Sequence, residues 1–177
     1  MIRSKLFVFS APCLLAQAIR AKGLVREFPA VVTPVIDLLI ENEVNIFSMP
    51  CPELYLDSMI RRPCQKRHYD TPKNRATYRR IGLLIARHIR QVARAGYSVV
   101  AILGVEFSPS CAIDHITASP PQRIIPGQGI LIEELAAELH RQQIEVPMIS
   151  VNPHRPERSL PVIKKRIEEA RQRAQID

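Results

Sequence analysis

The chain has 177 residues, of which 46% are hydrophobic, so it is long and apolar enough to bury the core of one domain covering residues 1–177. It contains no run of about 18 apolar residues and no N-terminal segment with the apolar length of a signal peptide, which favours a cytoplasmic protein without a membrane span. The net charge is +8, and residues 61–90 hold ten Lys or Arg and one acid. Such a segment indicates attraction of an anionic ligand, a nucleotide or RNA; the alternative is a solvated basic helix face.

The first predicted strand is Lys5–Ser10, an apolar run that is bounded by a proline. Cys13 follows this strand almost at once. The segment Leu14–Ala21 predicts a short helix that ends at Lys22-Gly23, because a basic residue and a glycine are typical of a helix C-terminus. The pattern therefore places the first cysteine between a strand and a helix, where its thiolate would be stabilised.

Thr33-Pro34 predicts a helix start, with the threonine hydroxyl as N-cap and proline in the first turn, and this helix is expected to stop near Glu43. Val44–Met49 predicts the second strand. Cys51 follows it between Pro50 and Pro52, whose rings restrict the backbone on both sides of the thiol. A second cysteine thus lies at the end of a predicted strand.

Residues 53–70 predict irregular, basic structure. Thr71-Pro72 repeats the helix start, and apolar residues at helical spacing continue the longest helix to a stop at Gly96. Tyr97–Leu103 predicts the third strand, since it is rich in β-branched residues. Cys111 lies in the loop that follows, so a third cysteine comes after a third strand.

The segment Ala112–Gln128 predicts an extended loop, with Pro120-Pro121 and Pro126-Gly127 as turns, long enough to cover a site as a lid. A helix is expected from Gly129, a fourth strand at Val146–Val151, and a last helix from about Ser159. Strands that alternate with helices predict an α/β protein, a three-layer Rossmann-like domain with a mostly parallel four-stranded sheet.

The carboxyl ends of parallel strands meet at one edge of a sheet, so Cys13, Cys51 and Cys111 are expected to converge there. They are far apart in sequence, with no Cys-x-x-Cys pair, so only the folded chain could assemble them. Reduced thiols in the cytoplasm favour metal binding, catalysis or burial over disulfides. Three cysteines would leave one position of a metal or an iron–sulfur cube open for chemistry. Burial as small hydrophobic residues is the alternative.

Cys64 is the fourth cysteine, and as a fourth ligand it would close such a site. It does not follow a predicted strand, and we expect it to remain a non-ligand. The basic residues around it, Arg61, Arg62, Lys66 and Arg67, predict a lowered pKa and a reactive thiol.

Three polar residues accompany the cysteines. Glu53 stands two residues after Cys51, and Ser108 and Ser110 precede Cys111. A carboxylate and a hydroxyl beside an open metal position would hold a substrate and move protons in a hydrolytic or desulfurising centre.

The motifs Cys13-Leu14-Leu15, Pro50-Cys51-Pro52-Glu53 and Ser108-Pro109-Ser110-Cys111, in this order, resemble the thiouracil desulfurase (desulfidase) family. The segments Tyr69-Asp70-Thr71-Pro72, Gly96-Tyr97, Gly104-Val105-Glu106 and the helix after Gly129 make the resemblance closer to the compact branch of that family. It extends from about residue 6 to residue 153.

The resemblance implies a 4Fe-4S cluster bound by Cys13, Cys51 and Cys111. The iron without a cysteine ligand would capture the sulfur of a thiocarbonyl compound such as a thiolated pyrimidine or a thionucleoside. Glu53 and Ser108 would contact and activate the substrate as catalytic residues, and water would replace the sulfur, which leaves as sulfide.

Other residues are weaker candidates. Ser110, His115, Arg61 and Arg62 are expected to contact the substrate, with His115 reaching it from the lid and the arginines holding a phosphate. His68, His88, His115 and His154 invite a zinc site, although His88 lies on an apolar helix face and is expected to be a core residue.

The alternative function is a nucleotide- or RNA-binding module that contains a structural cluster or zinc and binds RNA through residues 61–90. The absence of tryptophan and the 5% content of aromatic residues argue against stacking platforms for bases.

Overall fold

The computed structural model describes residues 3–118 and 123–176, and side chains as far as residue 173. Its strands are β1 Leu6–Ser10, β2 Asn45–Ser48, β3 Ser98–Val105, β4 His115–Ala118, β5 Arg123–Pro126 and β6 Met148–Val151. Its α-helices are α1 Pro12–Leu15, α2 Thr33–Glu41, α3 Pro52–Leu56, α4 Lys66–Tyr69, α5 Pro72–Arg94, α6 Ile130–Arg141 and α7 Leu160–Ile176. Two 3₁₀ turns, Gln17–Ile19 and Pro156–Arg158, complete the list.

Four strands form one parallel sheet in the order β2-β1-β3-β6. The central strands are apolar because helices cover both of their faces: Val8 and Phe9 of β1 and Val100–Leu103 of β3 are fully buried. Helix α7 packs on β1, β3 and α2, whereas α5 packs on β3 and α6. This arrangement confirms the predicted three-layer α/β fold with a parallel four-stranded sheet.

The strand order places a reversal of chain winding at the centre of the sheet. The chain passes from β1 to β2 on one side and then crosses to β3 on the other side of β1. Right-handed crossovers in opposite directions put successive helices on opposite faces, so the loops after β1 and β3 diverge and leave a crevice. Cys13 and Cys111 lie in the segments that border this crevice.

Two segments differ from the sequence prediction. The extended loop predicted at Ala112–Gln128 contains the antiparallel strands β4 and β5, in which His115 pairs with Pro126 and Ile116 with Ile125. The β-branched residues that pair across these strands favour a β-hairpin, but the prolines in the segment led to the prediction of a loop. The predicted Pro120-Pro121 turn lies outside the described residues. The irregular segment 53–70 contains the short helices α3 and α4.

The predicted helix Leu14–Ala21 is instead the short helix α1 followed by a 3₁₀ turn. Ala16, between them, has an extended backbone with φ of −148°, which interrupts the helical hydrogen bonds. Pro12 occupies the first turn of α1 and places Cys13 next to it, directly after β1. The cysteine therefore stays close to the end of its strand.

Two Thr-Pro sequences each predict a helix that is capped by its threonine, but only one of the two threonines is a cap. Thr71 caps α5, because its hydroxyl accepts a hydrogen bond of 3.2 Å from the backbone N–H of Asn74. Thr33 is already inside α2, whose N-cap residue is Val32, and its hydroxyl donates to the carbonyl of Val31. The predicted N-cap role of Thr33 is therefore wrong. At the other end of α5, Gly96 has φ of +76°, as its predicted role as a helix stop requires.

None of the helices that the structure describes combines the length and the apolar character that a bilayer-spanning helix needs.

We expect Thr71→Ala to lower the free energy of unfolding by about 1 kcal/mol, because it removes a side-chain cap from the first turn of a long helix. Thr33→Ala serves as the matched control, since the hydroxyl it removes caps nothing. Urea denaturation followed by circular dichroism measures both values. Equal losses in the two variants would contradict the assignment of the cap.

Candidate metal centre

Three thiols from three adjacent strands line one cavity at the carboxyl edge of the sheet. Cys13 lies in α1 directly after β1, Cys51 immediately precedes α3 after β2, and Cys111 lies in the loop after β3. The cavity has a volume of about 810 Å³, and its wall also includes Glu53 and Ser108. The structure thus brings together the five residues that the sequence motifs single out.

The three thiols are close enough to influence one another's ionisation. Burial raises the pKa of Cys111 well above its ordinary value, and Cys13 and Cys51 raise it further. Burial likewise raises the pKa of Cys13 to about 12, although the Arg20 guanidinium opposes the shift. The pKa of Cys51 is also raised, first by burial and then by Glu53. Neutral thiols are therefore favoured until a cation among them compensates the negative charge.

The loop that carries Cys111 is ordered by Ser108. The Ser108 hydroxyl oxygen accepts hydrogen bonds from the backbone N–H groups of Cys111, at 3.0 Å, and of Ser110, at 3.2 Å. The following carbonyl groups continue into α6, because those of Pro109 and Ser110 accept the N–H groups of Ile130 and Leu131. With both of its lone-pair directions used, the Ser108 hydroxyl has only its hydrogen left to offer to the cavity.

Two glycines allow this loop to pass between β3 and α6. A Cβ at Gly104 would lie 2.3 Å from the carbonyl oxygen of Cys111, and a Cβ at Gly129 would lie 2.3 Å from the backbone of Ser110. No side chain fits at such distances, so the loop can take this path only if both positions lack a Cβ. The position of Cys111 depends on these two close approaches.

Glu53 lies at the cavity wall in the first turn of α3, where its carboxylate is bound by an arginine. The Nε atom of Arg61 is 2.9 Å from Oε2 of Glu53, and the two side chains are 4% and 12% exposed. Burial lowers the pKa of Arg61, but the attraction and hydrogen bond of Glu53, together with Cys51 and Tyr69, raise it overall. Arg61 was expected to hold a substrate phosphate, but in the structure it is paired with Glu53.

Cys64 lines the same cavity but has different neighbours. Its thiol interacts with the hydroxyl of Tyr69, and the negative charges of Glu53 and Asp57 raise its pKa. Burial raises its pKa, and the hydrogen bond with Tyr69 opposes the shift only in part. The predicted lowering of its pKa by basic neighbours is therefore wrong, because desolvation outweighs the attraction to Arg61.

Sequence reasoning missed the positive group beside Cys13. Arg20 lines the cavity and donates a hydrogen bond of 3.2 Å to the side-chain oxygen of Gln17. Gln17 is 1% exposed, and its amide nitrogen donates to the carbonyl oxygen of Cys13 at 2.7 Å. Gln17 follows Cys13 by four residues, a helical spacing that could have indicated this contact.

The loop after β6 supplies another part of the cavity wall, of which the sequence indicated only His154, as a zinc candidate. Asn152 donates a hydrogen bond of 2.8 Å to Glu106, and its own side-chain oxygen accepts the N–H of His154. All three residues line the cavity. The pKa of His154 is lowered by burial and by Arg20 and Arg26, so this imidazole is neutral at pH 7.

The remaining predicted contacts lie elsewhere. Ser110 is 1% exposed, and its hydroxyl is 2.8 Å from that of Tyr78 behind the Cys111 loop. Arg62 is exposed, and His115 pairs with Pro126 in β4; the cavity wall includes neither. His68 lines the cavity, whereas His88 packs against Phe47 with a ring separation of 4.9 Å.

The basic segment 61–90 is partly neutralised by acids of α6. Arg75 contacts Glu133 and Glu134 as well as Asp70, and Arg79 contacts Glu134 at 3.2 Å. Lys66 pairs with Glu133. These ion pairs join α4 and α5 to α6, so Lys66, Arg75 and Arg79 have acidic partners within the chain.

The donor set at this cavity consists of thiols. Within residues 3–118 and 123–176, no group of three or more His, Cys, Asp or Glu side chains is arranged to hold a metal ion. Thiolates are the ligands that an iron–sulfur cluster requires, and Cys13, Cys51 and Cys111 all line the cavity. It is the chemistry of these donors, rather than a preformed ligand group, that fits a cluster.

Comparisons with known proteins identify distant similarity. No protein-family model matches the chain. An uncharacterized protein of Methanocaldococcus jannaschii is 26% identical over 130 residues, which cover 73% of this chain and 71% of that protein. A solved structure of a 4Fe-4S-dependent thiouracil desulfidase is similar with a TM-score of 0.46 and 22% identity, over 81% of this chain and 90% of that one. Similarity at this level assigns neither a family nor an activity.

We expect Gly129→Ala to displace the Cys111 loop, because the added methyl group would meet backbone atoms that cannot rotate away. Brief alkylation of the native protein followed by mass spectrometry would then show faster labelling of Cys111, which is 5% exposed in the parent. Gly96→Ala is the control, since it strains a positive φ but its Cβ meets no atom within 4 Å. Unchanged labelling in Gly129→Ala would contradict the close approach.

The raised thiol pKa values predict that the metal-free protein loses stability in alkali. The unfolded chain releases thiol protons near pH 9, whereas folded Cys13 holds its proton to about pH 12. The stabilisation is therefore complete below pH 9 and falls above it, by up to about 1.4 kcal/mol per pH unit for one thiol. Urea denaturation at pH 7, 8.5 and 10 measures the slope. The same slope in Cys13→Ala would contradict the assignment to this thiol.

Proposed function

We propose that this protein is an iron–sulfur-dependent hydrolytic desulfurase that acts on a thiocarbonyl compound such as a thiolated pyrimidine. In the net reaction, water adds its oxygen to the carbon and the sulfur leaves as hydrogen sulfide, so that C=S and H₂O become C=O and H₂S. No oxidant or reductant is consumed. The cavity volume of about 810 Å³ leaves room for a small molecule or a thionucleoside, and we propose that the protein works in the cytoplasm.

One observation carries this proposal: three thiols from three strands share a cavity with a carboxylate and a hydroxyl. A purely structural metal site would be closed by a fourth ligand and would need neither an acid nor an alcohol beside it. The motifs around these five residues resemble those of thiouracil desulfurases, and this resemblance supports the choice of a thiocarbonyl substrate.

Cys13, Cys51 and Cys111 would hold a 4Fe-4S cluster, and their raised pKa values are those of thiols that release protons when a cation arrives. When bound, the cluster would supply an iron without a protein ligand, which acts as a Lewis acid toward sulfur. Arg20 places a positive charge beside Cys13 and would offset part of the negative charge of the thiolates.

Glu53 would act on water. Its carboxylate lies at the cavity wall, where it can accept a proton from the attacking water and return it to the departing sulfur. Ser108 would act on the substrate, because its hydroxyl hydrogen is free to donate to a ring nitrogen or oxygen while its oxygen holds the Cys111 loop. The two residues therefore have separate tasks: moving the proton and orienting the substrate.

The alternative of an RNA- or nucleotide-binding module has less support. It depends on the basic segment 61–90, but Arg61, Lys66, Arg75 and Arg79 of that segment are held in ion pairs with acids of the same chain. If substrate binding weakens steeply as the salt concentration rises, phosphate contacts contribute, and an enzyme that acts on thiolated nucleosides within RNA gains support.

The test is anaerobic reconstitution of the protein with iron and sulfide, followed by a sulfide-release assay with thiouracils, thionucleosides and thioamides. We expect close to four irons per chain and release of sulfide from a thiolated pyrimidine. Cys13→Ala should lose iron, and Glu53→Gln should retain iron but lose about 10²- to 10⁴-fold in kcat, because proton transfer is removed.

Cys64→Ser is the matched control, because Cys64 lies in the same cavity but is not an expected ligand. It should retain iron and turnover. The assignment fails if Cys13→Ala binds four irons with undiminished turnover. The proposed reaction fails if the reconstituted parent releases no sulfide from any of these compounds.

A further inference from the structure

We propose that Arg61 is a positioning residue that aims the Glu53 carboxylate into the cavity by binding one of its two oxygens. This inference rests on the proposed function, in which Glu53 moves the proton. It replaces the expectation that Arg61 binds a phosphate group of the substrate.

The geometry of Arg61 is that of a fixed support. Its Nε atom donates to Oε2 of Glu53 at 2.9 Å, and one terminal nitrogen donates to the carbonyl oxygen of Ser58 at 3.1 Å. Its own carbonyl oxygen accepts the N–H of Lys22 at 2.9 Å. The guanidinium is therefore anchored to the end of α3, and its backbone is anchored to the segment that follows Arg20.

The ion pair between Arg61 and Glu53 is buried, unlike a pair at the protein surface. The side chain of Arg61 is 4% exposed and that of Glu53 is 12% exposed. A charge removed from water to this extent is tolerated only with a partner, and the planar arginine fixes the direction of the carboxylate as well as its charge. Its hydrogen bonds to Glu53 and to Ser58 hold the guanidinium in this orientation at the cavity wall.

Oε1, the second carboxylate oxygen of Glu53, is available for proton transfer. Among the described residues, none donates a hydrogen bond to Oε1, although Glu53 lines the cavity. An anchored Oε2 leaves the carboxylate one orientation instead of two, so Oε1 is presented at a constant place. Small displacements of a reacting group cost about 10²-fold in rate, which sets the scale of the benefit.

The test is a double-mutant cycle on the reconstituted protein with a thiolated pyrimidine, using Arg61→Met, Glu53→Gln and the double variant. If Arg61 acts through Glu53, Arg61→Met lowers kcat by about 10²-fold in the parent, with a much smaller change in KM. In the Glu53→Gln background the same change costs less than about twofold, because the group being aimed is already absent. Equal losses in both backgrounds overturn the proposal.

Two further variants separate positioning from stability. Arg61→Lys keeps the charge and one donor without the planar fork, so it should recover part of the lost kcat and should also provide a folded protein if Arg61→Met is unstable. Arg79→Met removes the arginine of a pair with Glu134 that lies outside the cavity wall, and it should leave kcat unchanged. An equal loss in Arg61→Lys and Arg61→Met, or a loss in Arg79→Met as large as in Arg61→Met, overturns the proposal.

A readout that needs no turnover distinguishes this inference from the proposed function. In crystal structures of the parent and of Arg61→Met, the Glu53 carboxylate should rotate away when its anchor is removed. If it keeps the same orientation, the positioning role is overturned even if sulfide release is observed. If the parent releases no sulfide while the carboxylate rotates, the proposed reaction fails and the positioning of Glu53 stands.

Discussion

The loop that carries Cys111 is held between strand β3 and helix α6, and the candidate site depends on how closely these elements approach it. Gly104 on β3 and Gly129 before α6 both contact its backbone at distances that leave no room for a side chain. Ser108 closes the loop from within through two backbone hydrogen bonds. Because the loop is confined on both sides, the third thiol takes a constant place beside the ends of the other two strands.

A second constraint is electrostatic. The cavity wall holds several groups that are negative when ionised, among them Glu53 and the thiols of Cys13, Cys51 and Cys111. Arg61 pairs with the carboxylate directly, while Arg20 lowers the pKa of Cys13. Burial is the main cause of the raised thiol pKa values, and the neighbouring negative groups add to it. A cation that binds among these thiols would favour their ionised forms, as the proposed cluster requires.

The basic segment illustrates how charge in a sequence differs from charge on a surface. Residues 61–90 contain ten bases, but acids of α6 and Glu53 bind several of them. The positive charge at the cavity comes from Arg20, which lies outside this segment, and from Arg61 and Arg67 within it. Net charge is additive along a chain, whereas the field at a site depends on which partners the fold brings within a few ångströms.

The sequence by itself determined the parallel sheet and the convergence of the three cysteines. Apolar runs of strand length alternate with helical spacing, and each cysteine follows such a run, so hydrophobic burial and the geometry of parallel strands leave one outcome. Local signals were less decisive. Thr33 and Thr71 are each followed by proline, but only Thr71 caps its helix.

Only the tertiary structure decided the partners within the site. Arg61, which was expected to hold a phosphate, is paired with Glu53. The pKa of Cys64 is raised instead of lowered. Arg20, which lines the cavity, is hydrogen-bonded to Gln17. These outcomes depend on burial and on contacts within and between loops, whose path is set by packing rather than by periodicity. Desolvation and pairing act over a few ångströms in space, and a linear pattern of residues does not contain those distances.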